Sequence, residues 1–233
     1  MDHELHDVAT GPAPAGFDAL LLQLQQNAAQ AIEAGGPIAL LLVLMSVAAL
    51  SLVILKVWQF TSLRLGNRKF IARTINLHVS GDDEAALTIL TRTKNPIARV
   101  MEAAILGLRR STIDRNTVRE DVIRIADEAL RDLRSHIRAL EVIAALSPLL
   151  GLLGTVLGMI AVFGDIAGAD SRVSPALLSG GIWEALLTTA IGMAVAIPTI
   201  VAINCLEAKT EGVSADMESA ITRLFTADLN RFG

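Results

Sequence analysis

Residues 142–164 read VIAALSPLLGLLGTVLGMIAVFG, 23 positions with no charged side chain between Glu141 and Asp165. At the helical rise of about 1.5 Å per residue, such a run crosses a hydrocarbon core about 30 Å thick. Two further runs match it. Residues 37–55 give 19 uncharged positions closed by Lys56, and residues 185–206 give 22 between Glu184 and Glu207. Three such runs in 233 residues leave too little polar helix to bury them inside a soluble core. The expected fold class is an all-α integral membrane protein with three transmembrane helices, two of them extended into a cytoplasmic helical bundle.

The basic residues set the orientation. No Lys or Arg precedes Lys56, and 16 of the 20 lie from Lys56 to Arg138. Basic segments are retained on the cytoplasmic side, so the N-terminus is expected outside and the C-terminus inside. The organisation that follows has a periplasmic segment at 1–36, a first span at 37–55 and a cytoplasmic helical region at 56–141. The second span at 142–164, a periplasmic loop at 165–181, the third span at 182–206 and a cytoplasmic helix at 207–233 complete it. The N-terminal region lacks the basic start of a secretory signal, so the first span is expected to stay as an anchor. The location expected is the bacterial inner (cytoplasmic) membrane.

Local signals subdivide these segments. Gly11, Pro12, Pro14 and Gly16 point to disorder over 1–16, and Leu20, Leu24, Ala28 and Ile32 recur at helical spacing. Gly35, Gly36 and Pro37 should break that helix from the first span. In the cytoplasmic region, Ser80-Gly81-Asp82 predicts a turn before a helix to Thr91, and Asn95-Pro96 opens another through about Leu108. From Thr112, the three-four spacing of Val118, Val122, Ile125, Ala129, Leu133, Ile137 and Leu140 predicts one helix running on to Gly164. Val213, Met217, Ala220 and Leu224 carry the same spacing beyond the third span.

The second and third spans differ in kind from the first. Gly151, Gly154 and Gly158 share one helix face, as do Gly181, Ala185, Thr188, Gly192 and Ala196. Small residues allow close helix approach where lipid supplies no hydrophobic drive. Counted inward from the cytoplasmic end, Thr155 lies about 20 Å deep; Thr189 lies about 10 Å from the outer end of its span. Both hydroxyls therefore reach one level. Each could simply bond a carbonyl of its own helix, or the two could belong to a polar ring lining a pore. Glu184 stands at the mouth of the third span, either as a solvated first-turn carboxylate or as a functional group. Neither run 142–164 nor run 185–206 contains a titratable acid, imidazole or amine. A proton crossing here needs a carrier on another chain.

Other chemistry finds little support. The sequence has no phosphate-binding G-x-x-x-x-G-K-[ST] loop, no H-E-x-x-H and no G-x-S-x-G. His3, His6, His78 and His136 lack zinc-ligand spacing. The single cysteine, Cys205, forms no intrachain disulfide and is expected to pack as a small hydrophobe. No enzyme activity, metal, cofactor or nucleic-acid partner is expected.

Gly151-Leu-Leu-Gly-Thr-Val-Leu-Gly158, Glu184-Ala-Leu-Leu-Thr-Thr-Ala-Ile-Gly192, Ala196-Ile-Pro198 and Asn204 resemble the MotA/TolQ/ExbB proton-channel family. The three-span plan is most like the ExbB branch of that family. Gly180-Gly181-Ile-Trp-Glu184 departs from the Ala-Pro-Gly-Ile-Ala-Glu form of familiar members, so a TolQ-like role in envelope integrity and division stays open, as does a passive membrane scaffold. The resemblance implies a homopentamer in membrane lipid around an ExbD-like single-span partner with a membrane aspartate, driving a TonB-like protein in outer-membrane transport. It also implies that Thr155 and either Thr188 or Thr189 line the pore, with Glu184 at its mouth. Gly151, Gly154, Gly158, Gly192 and Pro198 would serve helix packing. A symmetric oligomer is the first expectation to test: mass measurement in detergent and in nanodiscs should give a pentamer, and a monomer or dimer in both would refute it.

Overall fold

The computed structural model describes residues 15–110, 114–167 and 175–232, with side chains over 36–110, 114–167 and 178–228. Every regular element among them is α-helix: α1 Ala15–Ser62, α2 Lys69–Val79, α3 Asp83–Thr91, α4 Pro96–Leu108, α5 Arg115–Arg134, α6 Ile137–Ala167 and α7 Pro175–Phe232. Three helices, carried by α1, α6 and α7, are long and apolar enough to cross a membrane. The disorder expected over 1–16 falls almost wholly outside the described residues, as do Thr112 and the middle of the 165–181 loop. Helix takes both ends of that loop, since α6 runs on to Ala167 and α7 begins at Pro175.

The chain divides into two compact units, one holding α1 up to Leu44 with Ser147–Ala194 and the other holding Met45–Leu146 with Val195 onward. In the first, α6 and α7 run antiparallel. A Cβ added to Gly192 would meet the Ser147 carbonyl, one on Gly151 would meet Thr188 and Thr189, and one on Gly158 would meet Ala185. The large side chains point the other way, with Leu149, Leu152, Val156, Ile160, Leu186 and Met193 exposed. Small residues inside and large apolar ones outside reverse the soluble pattern, as lipid or neighbouring subunits require.

Gly36 carries the break expected between the amphipathic N-terminal helix and the first span. Its φ of 58° and ψ of −153° interrupt α1. Pro37 disfavours a helical conformation in the residue before it, and the region occupied is open in practice only to glycine.

The second unit is built from amphipathic helices. Successive packing of α2 on α3, α3 on α4 and α4 on α5 is fixed by short, well-capped turns. Asp82 accepts from the Ala85 amide at 3.1 Å, Asn95 from Ile97 at 3.0 Å, and Asp114 from Asn116 at 3.1 Å. Each cap satisfies a donor that the first helical turn leaves unpaired. Ile97, Val100, Met101, Ala104 and Ile105 of α4 are fully buried, together with Val122 and Leu133 of α5 and Met217, Ala220 and Leu224 of α7. Each large side chain so buried contributes roughly 1.5–3 kcal/mol. The three-four spacing read from the sequence is therefore the core-facing stripe. Cys205 departs from its expectation: it is exposed, on the side of α7 away from buried Ile203 and Leu206.

The single helix expected from Thr112 to Gly164 is not formed. Described from Arg115, the chain breaks between α5 and α6, with Ser135 extended (ψ 143°) and His136 at φ 65°. No glycine or proline marks this break; a cation from elsewhere holds it. Lys56 of α1 is completely buried, and its Nζ donates to the Leu133 carbonyl at 3.1 Å, to Ser135 Oγ at 3.2 Å and to Gln59 Oε1 at 2.8 Å. The ammonium thus takes one of the carbonyls that α5 exposes where it ends. Ser135 Oγ donates in turn to the Asp132 carbonyl at 2.7 Å. Replacing Lys56 with Ala leaves the buried Leu133 carbonyl without its donor, at a cost of about 1–3 kcal/mol, while the half-buried Ser135 and Gln59 can turn to water. Thermal unfolding followed by circular dichroism in detergent should show a clearly lowered midpoint, and an unchanged midpoint would mean that the break is held by other contacts.

Candidate functional site in the small-residue seam

The seam between α6 and α7 collects most of the candidate residues. Gly192 approaches so closely that an added Cβ would lie 2.5 Å from the Ser147 carbonyl oxygen and 3.2 Å from the Gly151 Cα. At Gly151 the same test meets the Thr189 Cα at 2.9 Å, and at Gly154 the Thr188 hydroxyl already occupies the space. These neighbours are largely backbone, which cannot rotate aside as a flexible side chain can.

That proximity determines what the threonines do. Thr188 is buried, and its hydroxyl donates to the Ala185 carbonyl at 2.7 Å, with the Gly151 carbonyl at 3.3 Å as its second acceptor. Thr189 is half-buried and donates across the seam to the Gly151 carbonyl at 2.9 Å. Thr155, also half-buried, donates to Leu152 of its own helix at 2.6 Å. Thr155 and Thr189 thus engage the carbonyls of consecutive residues, Leu152 and Gly151, on one turn of α6. Two tied hydroxyls at one level can orient water or an incoming carboxylic acid, but neither holds a proton charge. Glu184 is exposed beside exposed Trp183. Pro198 belongs to the other unit; α7 passes through it unbroken, and Thr199 beside it donates to the Val195 carbonyl at 2.7 Å.

Ser147 escaped the sequence reading although it is fully buried in this seam. The signal was available, because Ser147 continues the glycine face of Gly151, Gly154 and Gly158 one turn earlier, at i−4 from Gly151. Lys56 was read as the charge that ends the first span and opens the basic segment, not as a structural donor. Its burial depends on acceptors nearly 80 residues away, which periodicity does not report.

Comparison with known proteins identifies the family. Residues 92–219 match the MotA/TolQ/ExbB proton channel family. Biopolymer transport protein exbB1 of Vibrio cholerae serotype O1 is 35% identical over 106 residues, 45% of this chain and 46% of that protein. A putative biopolymer transport protein, ExbB-like 3 of Synechocystis, is 30% identical over 174 residues, covering 73% of this chain and 80% of its own length. Tol-Pal system protein TolQ of Haemophilus influenzae is 34% identical over 102 residues, 44% of each chain. The alignments to the Vibrio and Haemophilus proteins thus span less than half the length of those relatives. The chain belongs to the MotA/TolQ/ExbB proton channel family. It is a multi-pass inner-membrane protein and a proton-channel energiser subunit, not an enzyme.

The seam makes its own prediction. Gly192→Ala places a methyl group against backbone and should cost about 1–3 kcal/mol, the usual penalty of overpacking. Gly180→Ala, inside the same helix but with nothing within 4 Å, should hold or slightly raise stability. Paired thermal or denaturant melts in one detergent measure the contrast, and equal midpoints would contradict close packing at Gly192.

Proposed function

We propose that this chain is the stator of an inner-membrane motor in which the proton gradient energises TonB-dependent transport across the outer membrane. The N-terminus lies in the periplasm, and the basic residues from Lys56 to Arg138 lie in the cytoplasm. Five copies enclose the membrane helix of an ExbD-like partner, whose aspartate carries the proton, and a TonB-like protein receives the work. One observation carries the reading: the seam offers hydroxyls at a single level, and residues 142–164 and 185–206 hold no carboxylate, imidazole or amine. Burying an unpaired charge at mid-membrane costs roughly 3 kcal/mol or more, so a proton crosses only on a carrier that this chain lacks. Thr155 and Thr189 are the hydroxyls assigned to the path; the burial of Thr188 against Gly154 favours packing for that residue. Glu184 is assigned to the outer mouth.

The similarity to the Haemophilus TolQ supports a second reading, a subunit serving envelope integrity and division. Complementation separates the two: rescue of TonB-dependent growth supports the first, and rescue of detergent resistance in a strain lacking TolQ supports the second.

Liposomes holding a pH gradient test the carrier assignment. This chain alone should be nearly proton-tight, and conduction should appear with the ExbD-like partner; rapid dissipation by the chain alone would refute the assignment. In the conducting complex, Thr155→Ala with Thr189→Ala should lower flux by about tenfold, equivalent to ~1.4 kcal/mol of barrier, while oligomeric mass is unchanged. A passive scaffold would show no such loss. Glu184→Gln keeps shape and hydrogen bonding, so assembly should persist while gradient-driven growth falls; normal growth would mark Glu184 as a solvated first-turn residue only.

A further inference from the structure

The end of the first span and the loop between α3 and α4 together form a cleft of about 630 Å³. Trp58, Thr61 and Arg64 line it from one side and Arg92, Lys94 and Asn95 from the other, with no carboxylate in the lining. Several other basic residues of this unit are paired with carboxylates: Arg68, Arg99, Arg109, Arg115, Arg124 and Arg138 each lie within ion-pair distance of an Asp or Glu. Among the described residues, Arg64, Arg92 and Lys94 have no such partner.

The cleft is also built rather than incidental. Arg64 sits at φ 49°, uncommon for a residue with a Cβ. Its carbonyl accepts from the Asn67 amide at 2.9 Å and from Asn95 Nδ2 at 3.3 Å. Asn95 is itself buried and caps α4 through Ile97. One side chain therefore ties the turn that carries Arg64 to the loop that carries Arg92 and Lys94.

What leads into the cleft identifies its ligand. Val47, Leu50, Ile54 and Trp58 follow one another at three- and four-residue spacing along α1 and are all exposed, Trp58 by 72%; Thr61 continues the line to the cleft. An apolar stripe ending in an interfacial tryptophan and then in unpaired cations matches an acyl chain, a glycerol level and a phosphate, in that order. We propose that this cleft binds the headgroup of an anionic phospholipid, with the guanidinium groups of Arg64 and Arg92 and the Lys94 ammonium on the phosphodiester and the acyl chains along the α1 stripe. Free phosphate would satisfy the cations but leaves the stripe uncovered. The site depends on the first span lying in a membrane and not on which proton-driven partner is served.

The chain has two tryptophans, so Trp183→Phe leaves Trp58 as the sole fluorophore at the site. The full-length Trp183→Phe protein is placed in phosphatidylcholine nanodiscs containing a small fraction of chain-brominated phosphatidylglycerol or, separately, chain-brominated phosphatidylcholine. Brominated phosphatidylglycerol should quench Trp58 about threefold more strongly than brominated phosphatidylcholine, as an electrostatic headgroup preference requires. Replacing Arg64, Arg92 and Lys94 together by Gln should abolish the difference while helicity is retained. Should that triple variant fail to fold, Lys94→Glu, in an exposed loop, should by itself reduce the preference. Equal quenching by the two lipids, or a preference that survives these substitutions, would overturn the proposal. Full displacement of the preference by millimolar inorganic phosphate would assign the cations to a soluble anion and overturn the lipid.

Discussion

Where Gly192 rests against the Ser147 carbonyl there is no room for a methyl group, and the rest of the first unit follows from that contact. Two helix backbones this close bring the side chains of one within hydrogen-bonding range of the carbonyls of the other. Thr189 can then reach Gly151, and Thr188 fills the hollow at Gly154. Bulkier residues on either face would separate the helices and remove both interactions. They would also leave the threonines to bond only within their own helix, as Thr155 does. Close packing and the polar level inside an apolar bundle are therefore one feature, not two.

The second unit depends on a different economy of polar groups. Its helices end where a side chain is available to satisfy them: Asp82, Asn95 and Asp114 at amino ends, and Lys56 at the carboxyl end of α5. Asp228 shows the same logic. It is buried near the end of α7 and compensated by Arg115 at 2.9 Å, so the start of α5 and the last described turns of α7 are held together. A buried charge without such a partner would be strongly destabilising. Ion pairs on the exposed faces, such as Arg124 with Asp121, add little by comparison.

Much of this was legible in the sequence because the signals are local. Uncharged runs mark the three helices long enough to cross a membrane, the glycine face names the seam, and Asp82 and Asn95-Pro96 punctuate the helices where the structure ends and begins them. The break at Ser135-His136 was not legible: Leu133, Ile137 and Leu140 keep their apolar spacing through it, and the cation that stabilises it is contributed from α1. The roles of Thr188 and Thr189 were ambiguous for the same reason. Adjacent residues on one helix point about 100° apart, and only the position of α6 distinguishes the one that is enclosed from the one that remains half-open.

Gly36 shows how little of the chain is needed to set a direction. Nothing lies within 4 Å of the position where its side chain would begin, so no steric obstacle maintains the bend there. The path of the preceding helix rests on backbone torsions that an L-residue adopts only at a cost of order 1–3 kcal/mol. Any amino acid other than glycine would shift that balance toward a different exit angle while leaving the apolar span after it untouched. The heading of the segment that precedes the first span is thus an independently adjustable property, one that a single codon could redirect without altering how the span meets its solvent.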